Sequence, residues 1–253
     1  MMEKFPTSEN KEPLEKIDAI FTESGIEQAR IVRSPSGSFI FVTEHAGKDG
    51  PNEDGLVINT ERDAFCVIDA MGGMNNPILA NRIVTEEFLR AFREGEDMRL
   101  THLAATKRMQ RENPHGAACY TAIRINKKTL EVQQGGDTGI IVVNAINKKV
   151  KLDLWKELHA DTRESIVGDG KGEEPSRAFI ELQNGDRIYL ASDGLWANVQ
   201  TGDLLKKTPH IRIDKALAYL RERALREMTE RVRPEFANPD NLTIFIYDKQ
   251  PGI

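Results

Sequence analysis

The chain has 253 residues, 39% of them hydrophobic, which is enough for a sizeable core in one large domain. A formal net charge of -5 provides no basic surface for nucleic acid or for an anionic membrane. No apolar run approaches the roughly 18 residues of a membrane span, and the start of the chain, MMEKFPTSENKEP, lacks the pattern of a signal peptide. We therefore expect a cytoplasmic monomer with no nucleic-acid partner and no membrane partner.

The N-terminal part is predicted to be an extension, residues 1–28, that precedes a domain of residues 29–250. Residues 13–25 (PLEKIDAIFTESG) have the pattern of a short amphipathic helix that ends at a glycine. Residues 38–46 (SFIFVTEHA) and 54–60 (DGLVINT) have strand character, and the Gly-rich, charged loop between them is unsuited to a strand. The domain is thus predicted to begin with a strand, an acidic loop and a second strand.

An apolar strand and two helices are predicted next. The strand covers residues 63–70 (DAFCVIDA), a nearly continuous apolar run. The first helix has Asn76 as its N-cap, Pro77 at its first position and Gly95 as its terminator. A second helix is predicted over residues 98–113.

Four β-type segments follow, and the short NKKT and INKK turns favour antiparallel hairpins. The segments are residues 118–125, 130–137, 139–145 and 149–155. Cys66 and Cys119 lie in apolar strand segments, which predicts free thiols packed in the core. Residues 156–176 are rich in Gly, Pro and charge, and we predict an irregular surface segment or lid there.

The last part of the chain is predicted to contain a hairpin, a helix and a strand. Residues 177–182 and 186–192 flank an Asn-Gly turn, the pattern of a β-hairpin. Residues 214–232 have helical periodicity, and residues 241–248 (NLTIFIYD) form an apolar strand. The apolar face of that helix consists of Ala216, Leu220, Ala224 and Met228. Helical runs between groups of antiparallel strands predict an α+β fold with helices covering the sheet faces.

Acidic residues recur at the ends of these strands: Glu53, Asp54, Asp69, Asp137, Asp193 and Asp240. Each of them alone is ordinary turn or cap chemistry, because Asp beside Gly or Asn is common in turns. If several strand ends converge, however, the acids repel one another unless a cation or protons offset their charge. Hard oxygen ligands favour Mg²⁺ or Mn²⁺ over zinc or copper. Two interpretations therefore remain open, turn residues of an unrelated sandwich or a divalent metal site.

Six segments together resemble, in order and spacing, the motif series of the metal-dependent protein phosphatases, the PPM or type 2C family. They are PNEDG, FCVIDAMGG, GAACYTA, QQGGDTG, DRIYLASDGLW and PDNLTIFI. Met71 in the second segment resembles the bacterial form of that motif. The resemblance implies a four-layer α-β-β-α sandwich of two antiparallel sheets flanked by helices, with a two-metal centre at one end. It also implies phosphorylated proteins as partners.

The resemblance further implies the ligands of the metals. Asp69 resembles the acid that bridges the two ions, and the carbonyl of Ala70 resembles the backbone ligand beside it. The remaining carboxylate ligands, those of the second metal, are matched by Glu53, Asp193 and Asp240. The implied cofactors are two Mn²⁺ or Mg²⁺ ions.

Two further acids complete the implied site. Asp54 resembles the acid that holds the water bound to the metals, so Asp54 and Asp69 are the expected catalytic acids. Asp137 resembles the acid that helps to bind a weaker third metal. The implied reaction is hydrolysis of phosphoserine and phosphothreonine in proteins by a water that two metals activate, with no phosphoenzyme.

The sequence departs from the family pattern at three positions. Ala70 stands where glycine is usual, which is tolerable if its φ is negative, because only the carbonyl is needed. Asp49 stands where members commonly carry an arginine that holds the substrate phosphate. Lys48 could supply a point charge there, although a lysine in a polar loop is more often a solvated surface residue. Ala197 replaces an acid, so the third metal should be weak or absent.

Two classes of function follow from these residues. The first is an active serine/threonine phosphatase, since the metal carboxylates are all present. The second is a regulatory or binding module of the same fold, in which Asp49 and Ala70 have weakened or abolished turnover.

Overall fold

The structure is a computed structural model that describes residues 19–21, 26–28, 31–46, 50–144, 146–155, 165–168, 174–230 and 240–250. The strands are β1 (Ala19–Phe21), β2 (Ile26–Gln28), β3 (Val32–Ser34), β4 (Gly37–Glu44), β5 (Asp54–Asn59), β6 (Ala64–Ala70), β7 (Ala118–Asn126), β8 (Thr129–Gly135), β9 (Gly139–Asn144), β10 (Val150–Asp153), β11 (Ser176–Glu181), β12 (Asp186–Ala191) and β13 (Leu242–Lys249). The helices are α1 (Pro77–Glu94), α2 (Met98–Glu112), α3 (Asp193–Trp196), α4 (Thr201–Lys207) and α5 (Ile213–Glu230), with a 3-10 helix at Thr60–Arg62.

The strands form two antiparallel sheets. The first sheet has the order β1-β5-β6-β7-β8-β11, and the second has the order β10-β9-β12-β13-β4-β2, with β3 also paired to β4. Helices flank both sheets, so the predicted α+β sandwich is confirmed.

An aromatic core joins the two sheets face to face. Phe65 of β6 contacts Phe39 of β4 and Phe245 of β13, with ring centroids 5.1 Å and 4.6 Å apart. All three rings are fully buried, and burial of each contributes about 1.5–3 kcal/mol. This contact fixes how the first sheet lies on the second.

The helices cover the outer faces of the sheets. Ile83 and Phe88 of α1 pack in one cluster with Cys66 and Ile68 of β6. On the other side, the predicted apolar face of α5 packs in one cluster with Ile244 of β13. The layer order is therefore helix, sheet, sheet, helix.

The ends of α1 agree with the sequence prediction. The side-chain oxygen of Asn76 accepts a hydrogen bond from the backbone N–H of Leu79 over 3.2 Å, and Pro77 is the first helical residue. Gly95 ends the helix in the left-handed conformation, with φ +77°, which glycine adopts without the steric penalty of a side chain. The cap, start and terminator were therefore all predicted correctly.

The predicted hairpin of residues 177–192 is wrong. β11 pairs with β8 in the first sheet, whereas β12 pairs with β9 and β13 in the second. The turn around Gly185, which has φ +85°, carries the chain from one sheet to the other. The Asn-Gly pattern specifies a tight turn, but it does not specify which strands pair on either side.

The predicted N-terminal helix is also wrong where the structure describes it. Residues Ala19–Phe21 form β1, which pairs with β5 at the edge of the first sheet. The rest of that predicted helix and most of the predicted surface segment 156–176 lie outside the described residues. The domain boundary at residue 28 stays a prediction, although β1 and β2 add strands before it.

Cys66 and Cys119 are buried and free, as predicted. Among the helices that the structure describes, none is both long and apolar enough to cross a membrane.

Candidate metal centre

One end of the layer between the sheets is polar. Side chains alternate between the two faces of a strand, so Asp69 shares its face of β6 with Phe65 and Val67 of the inter-sheet core. Asp54 likewise shares its face of β5 with Leu56. Asp54 and Asp69 are register partners on these adjacent strands. The two acids therefore lie side by side at the end of the layer where β5 begins and β6 ends.

Asp54 is held by hydrogen bonds that connect the two sheets. The hydroxyl of Ser192, at the end of β12, donates to Oδ2 of Asp54 over 2.7 Å, and the backbone N–H of Thr243 donates to that hydroxyl over 3.0 Å. The backbone N–H of Asp54 donates to Oδ1 of Asn52 over 3.0 Å. The Asn52 amide in turn donates to Oγ1 of Thr43 over 3.1 Å. All five residues are buried, so the position of Asp54 is fixed from both sheets.

The acids at this end interact through their charges. The pKa of Asp54 is raised from 3.8 to about 7, chiefly by burial. The hydrogen bonds to this carboxylate lower its pKa, whereas the negative charges of Asp193 and Asp240 raise it. Burial also raises the pKa of Asp69. The charges that raise it further are those of Asp54, Asp193, Asp137 and Asp240. Carboxylates from several strand ends thus lie within electrostatic range, and such a cluster requires protons or cations.

A close backbone contact brings Asp193 and Asp240 to this end. Asp193 is the first residue of α3, and Asp240 directly precedes Asn241 and β13. A Cβ on Gly194 would lie 1.9 Å from the carbonyl oxygen of Asn241. Only glycine therefore permits α3 to pack so closely on the start of β13. Asn241 is 1% exposed, and both polar atoms of its side chain have no partner among the described residues.

Glu53 and Ala70 are joined through the backbone. The N–H of Ala70 donates to the carbonyl of Glu53 over 3.3 Å. The same carbonyl accepts a 2.7 Å hydrogen bond from the side-chain amide of Asn81 on α1. Ala70 is the last residue of β6. It is not among the described non-glycine residues that have a positive φ, so its methyl group causes no backbone strain. α1 thereby holds the segment that carries Glu53.

Asp137 lies at the rim of the cluster and is exposed. It follows Gly136, which has φ +82° and at which a Cβ would lie 2.3 Å from the sulfur of Cys119. Cys119 is the register partner of Asp69. Burial raises the pKa of the Cys119 thiol, and the charges of Asp137 and Asp69 raise it further. The Gly-Gly turn therefore presents Asp137 near Asp69.

The predicted ligands thus lie in one region, but their side chains do not form a preorganised metal site. Within the described part of the chain, no group of three or more His, Cys, Asp or Glu side chains has the geometry to hold a metal ion. The two residues considered for phosphate capture, Lys48 and Asp49, lie outside the described residues. The donor set itself is entirely oxygen, which suits Mg²⁺ or Mn²⁺.

The sequence interpretation missed the residues that position these acids. Three of them are hydroxyl residues near the end of an apolar strand, and they point to the same inter-sheet face as the apolar residues of that strand: Ser192, Thr43 and Thr243. The signal in the sequence was that every second residue of the strand is apolar until a Ser or Thr takes that position. Asn52 and Asn81 offered no comparable pattern. Asn52 donates to Thr43 of β4, and Asn81 donates to the carbonyl of Glu53 in the loop before β5, so neither contact follows from neighbouring residues in the sequence.

Comparison with known proteins yields matches at the level of structure. No protein-family model matches the sequence, and no curated protein matches it. The PPM Ser-Thr phosphatase MsPP from Mycobacterium smegmatis, solved with cacodylate, has a TM-score of 0.64 at 17% identity, and the match covers 87% of this chain and all of that one. The catalytic domain of the serine/threonine protein phosphatase PstP, solved with two manganese ions, has a TM-score of 0.61 at 20% identity, and the match covers 89% of this chain and 99% of that one. RsbX in complex with magnesium has a TM-score of 0.65 at 12% identity, covering 87% and 99%.

The chain has the bacterial PPM phosphatase fold. The match covers nearly the full length of each of these structures. At identities of 12–20%, the likeness concerns the fold alone. The activity of this PPM fold therefore depends on the residues that this chain itself carries.

Proposed function

We propose that the chain is a metal-dependent protein serine/threonine phosphatase. The observation that carries the proposal is the gathering of Asp54, Asp69, Asp193 and Asp240 at one end of a PPM-fold sandwich. Their order along the chain is the order of the family motifs. The substrate class, phosphoserine and phosphothreonine in proteins, rests on that resemblance.

The carbonyl of Ala70 and four carboxylates, those of Glu53, Asp69, Asp193 and Asp240, would hold two Mn²⁺ or Mg²⁺ ions. When bound, such ions supply Lewis acidity that lowers the pKa of water and offsets the negative charge of the phosphate. The buried side chain of Asn241, beside Asp240, has no hydrogen-bond partner within the described part of the chain, which supports a polar occupant at this place.

The residues of the chain itself have positioning roles. Asp54, fixed by Ser192, accepts a hydrogen bond from the attacking water and orients it toward phosphorus. Phosphate capture is assigned to Lys48, which provides a point charge without the bidentate fork of arginine. A third ion near exposed Asp137 should bind weakly, because Ala197 supplies no second carboxylate there.

A PPM-like binding or regulatory module is the second candidate. It is favoured by Asp49, an acid at the position where the family carries its phosphate-holding arginine. In that case the carboxylates would bind metal, and hydrolysis would be slow or absent. Measuring both metal binding and turnover separates the two candidates.

The test is steady-state hydrolysis of a phosphothreonine peptide across a Mn²⁺ titration. We expect activity to require Mn²⁺ or Mg²⁺ and to vanish with EDTA. Damage should be greatest in Asp69→Asn, smaller in Asp240→Asn and least in Asp137→Asn, because Asp69 would touch both ions and Asp137 only the weak third one. Asp214→Asn, which removes the same charge from the first turn of α5, is the matched control.

The outcomes distinguish the candidates. Full activity of Asp69→Asn at ordinary Mn²⁺ concentration would mean that this acid is only a turn residue. Specific Mn²⁺ heat in calorimetry without hydrolysis of any phosphopeptide would support the binding module. No specific heat would contradict both.

A further inference from the structure

A cavity lies at the pole of the sandwich opposite to the carboxylates. β6 runs from Ala64 near this pole to Ala70 at the carboxylate end, so the two places are about 20 Å apart. The cavity has a volume of about 1120 Å³, enough for a ligand of nucleotide size. Its walls come from both sheets and from the turns at their ends. It therefore occupies the mouth of the inter-sheet layer, away from the candidate metal centre.

The cavity wall is richer in positive than in negative charge, although the chain as a whole is negative. Five cationic side chains line it: Arg62, Arg124, Lys127, Lys128 and Lys249. Three carboxylates, Glu61, Asp63 and Glu181, also line it. The two consecutive lysines are exposed in the β7–β8 turn at the rim, whereas Lys249 is only 7% exposed. This concentration of cations around a concave space favours a small anion.

Buried polar atoms in the wall have unused hydrogen-bonding capacity. Oδ1 of Asp63, a residue 4% exposed, and Nε of Arg124 have no partner among the described residues. Arg124 is oriented by a 2.7 Å hydrogen bond from Nη2 to the carbonyl of Glu96. Nζ of Lys249 donates to the carbonyl of Ser36 over 3.0 Å, which uses one of its three donors. A ligand with both an acceptor-rich anion and a donor group matches this unused hydrogen-bonding capacity.

Burial lowers the pKa of Lys249, although the nearby negative charge of Asp63 has the opposite, smaller effect on this pKa. A bound anion beside this ammonium would reduce the cost of keeping it charged in a buried position. The electrostatics of the wall therefore agree with its hydrogen-bonding requirements.

We propose that this cavity binds a small phosphorylated metabolite that also carries hydroxyl or amino groups. Arg124 and Lys249 donate to the phosphate oxygens, the rim lysines add attraction, and Asp63 accepts from a ligand hydroxyl or amine. None of these residues belongs to the carboxylate cluster, so the site does not depend on phosphatase activity.

The test is calorimetric titration of the full chain in EDTA, with ribose 5-phosphate and with inorganic phosphate as probes. We expect saturable binding of ribose 5-phosphate with a Kd of about 1 mM or tighter. The double variant Lys127→Glu/Lys128→Glu should bind at least about tenfold more weakly. The matched control, Lys206→Glu/Lys207→Glu, makes the same charge change at two exposed positions of α4 outside the cavity, and should retain the affinity.

A second variant tests the role of the carboxylate. Asp63→Asn should reduce the preference for ribose 5-phosphate over inorganic phosphate, because an amide is a weaker acceptor for the sugar hydroxyls. Equal weakening in both double variants would mean a nonspecific charge effect and would overturn the proposal. So would the absence of saturable heat with ribose 5-phosphate.

Discussion

We predict that Gly194→Ala displaces the two acids that flank the contact between α3 and β13. The new Cβ would lie 1.9 Å from the carbonyl oxygen of Asn241 and 3.0 Å from its carbonyl carbon. Both atoms belong to the backbone, so no side-chain rotation relieves the clash, and the elements must separate by about 1 Å. Such overpacking costs about 1–3 kcal/mol. It also moves Asp193 relative to Asp240, and a displacement of that size at a reacting site can cost about 100-fold in rate.

The assay combines thermal unfolding with Mn²⁺ affinity by calorimetry. Gly194→Ala should lower the Tm by about 2–4 °C for each kcal/mol lost, and it should weaken Mn²⁺ binding. Gly202→Ala, in α4, is the control, because a Cβ there meets no atom within 4 Å, and alanine favours a helix by about 0.5–1 kcal/mol. If Gly194→Ala kept both the Tm and the Mn²⁺ affinity, the close approach of α3 to β13 would not position the acids.

Two further predictions concern residues that hold the scaffold. Asn81→Ala removes the 2.7 Å hydrogen bond to the carbonyl of Glu53 and should cost about 1–3 kcal/mol in urea unfolding, with weaker Mn²⁺ binding. Thr85→Val removes only the hydroxyl that donates to Asn81 and should leave Mn²⁺ affinity intact; equal metal affinity in both variants would contradict this role. The side chain of Arg99 is the main cause that lowers the pKa of Asp97 from 3.8 to about 2, so the stability from this pair is present above pH 3.8 and is lost as the pH falls through about 2. Urea unfolding at about pH 5 and about pH 2 measures how much the free energy of unfolding falls on acidification. This fall should be about 1 kcal/mol smaller in Asp97→Asn than in the unchanged chain. An equal fall in both proteins would refute the assignment.

The sequence predicted most elements because their signals are local. An N-cap at Asn76 and a terminator at Gly95 bounded α1 correctly, since capping depends on the few residues at each helix end. The apolar face of α5 followed from helical periodicity in the same way. The order of acids along the chain was also readable, because each acid follows or precedes an apolar strand.

Strand pairing was not readable from local patterns. The hairpin prediction failed because β11 pairs with β8, more than 40 residues earlier, instead of with its neighbour β12. The edge strand β1 was predicted as a helix, since three residues of a short amphipathic segment carry little information about a distant partner. The partner of a strand depends on which strands lie beside it in the assembled sandwich, and β12 lies between β9 and β13 of the second sheet.

The sequence by itself determined which residues are acidic and that they lie at strand ends, because both facts are set by residue type and neighbours. Only the tertiary structure decided that these ends meet. Asp54 and Asp69 come together through the register of β5 with β6, and Ser192 reaches Asp54 from the other sheet. The contact between Gly194 and Asn241 brings in the remaining pair. These distances are set by packing between segments far apart in the chain, where the free energy of burial outweighs any local preference.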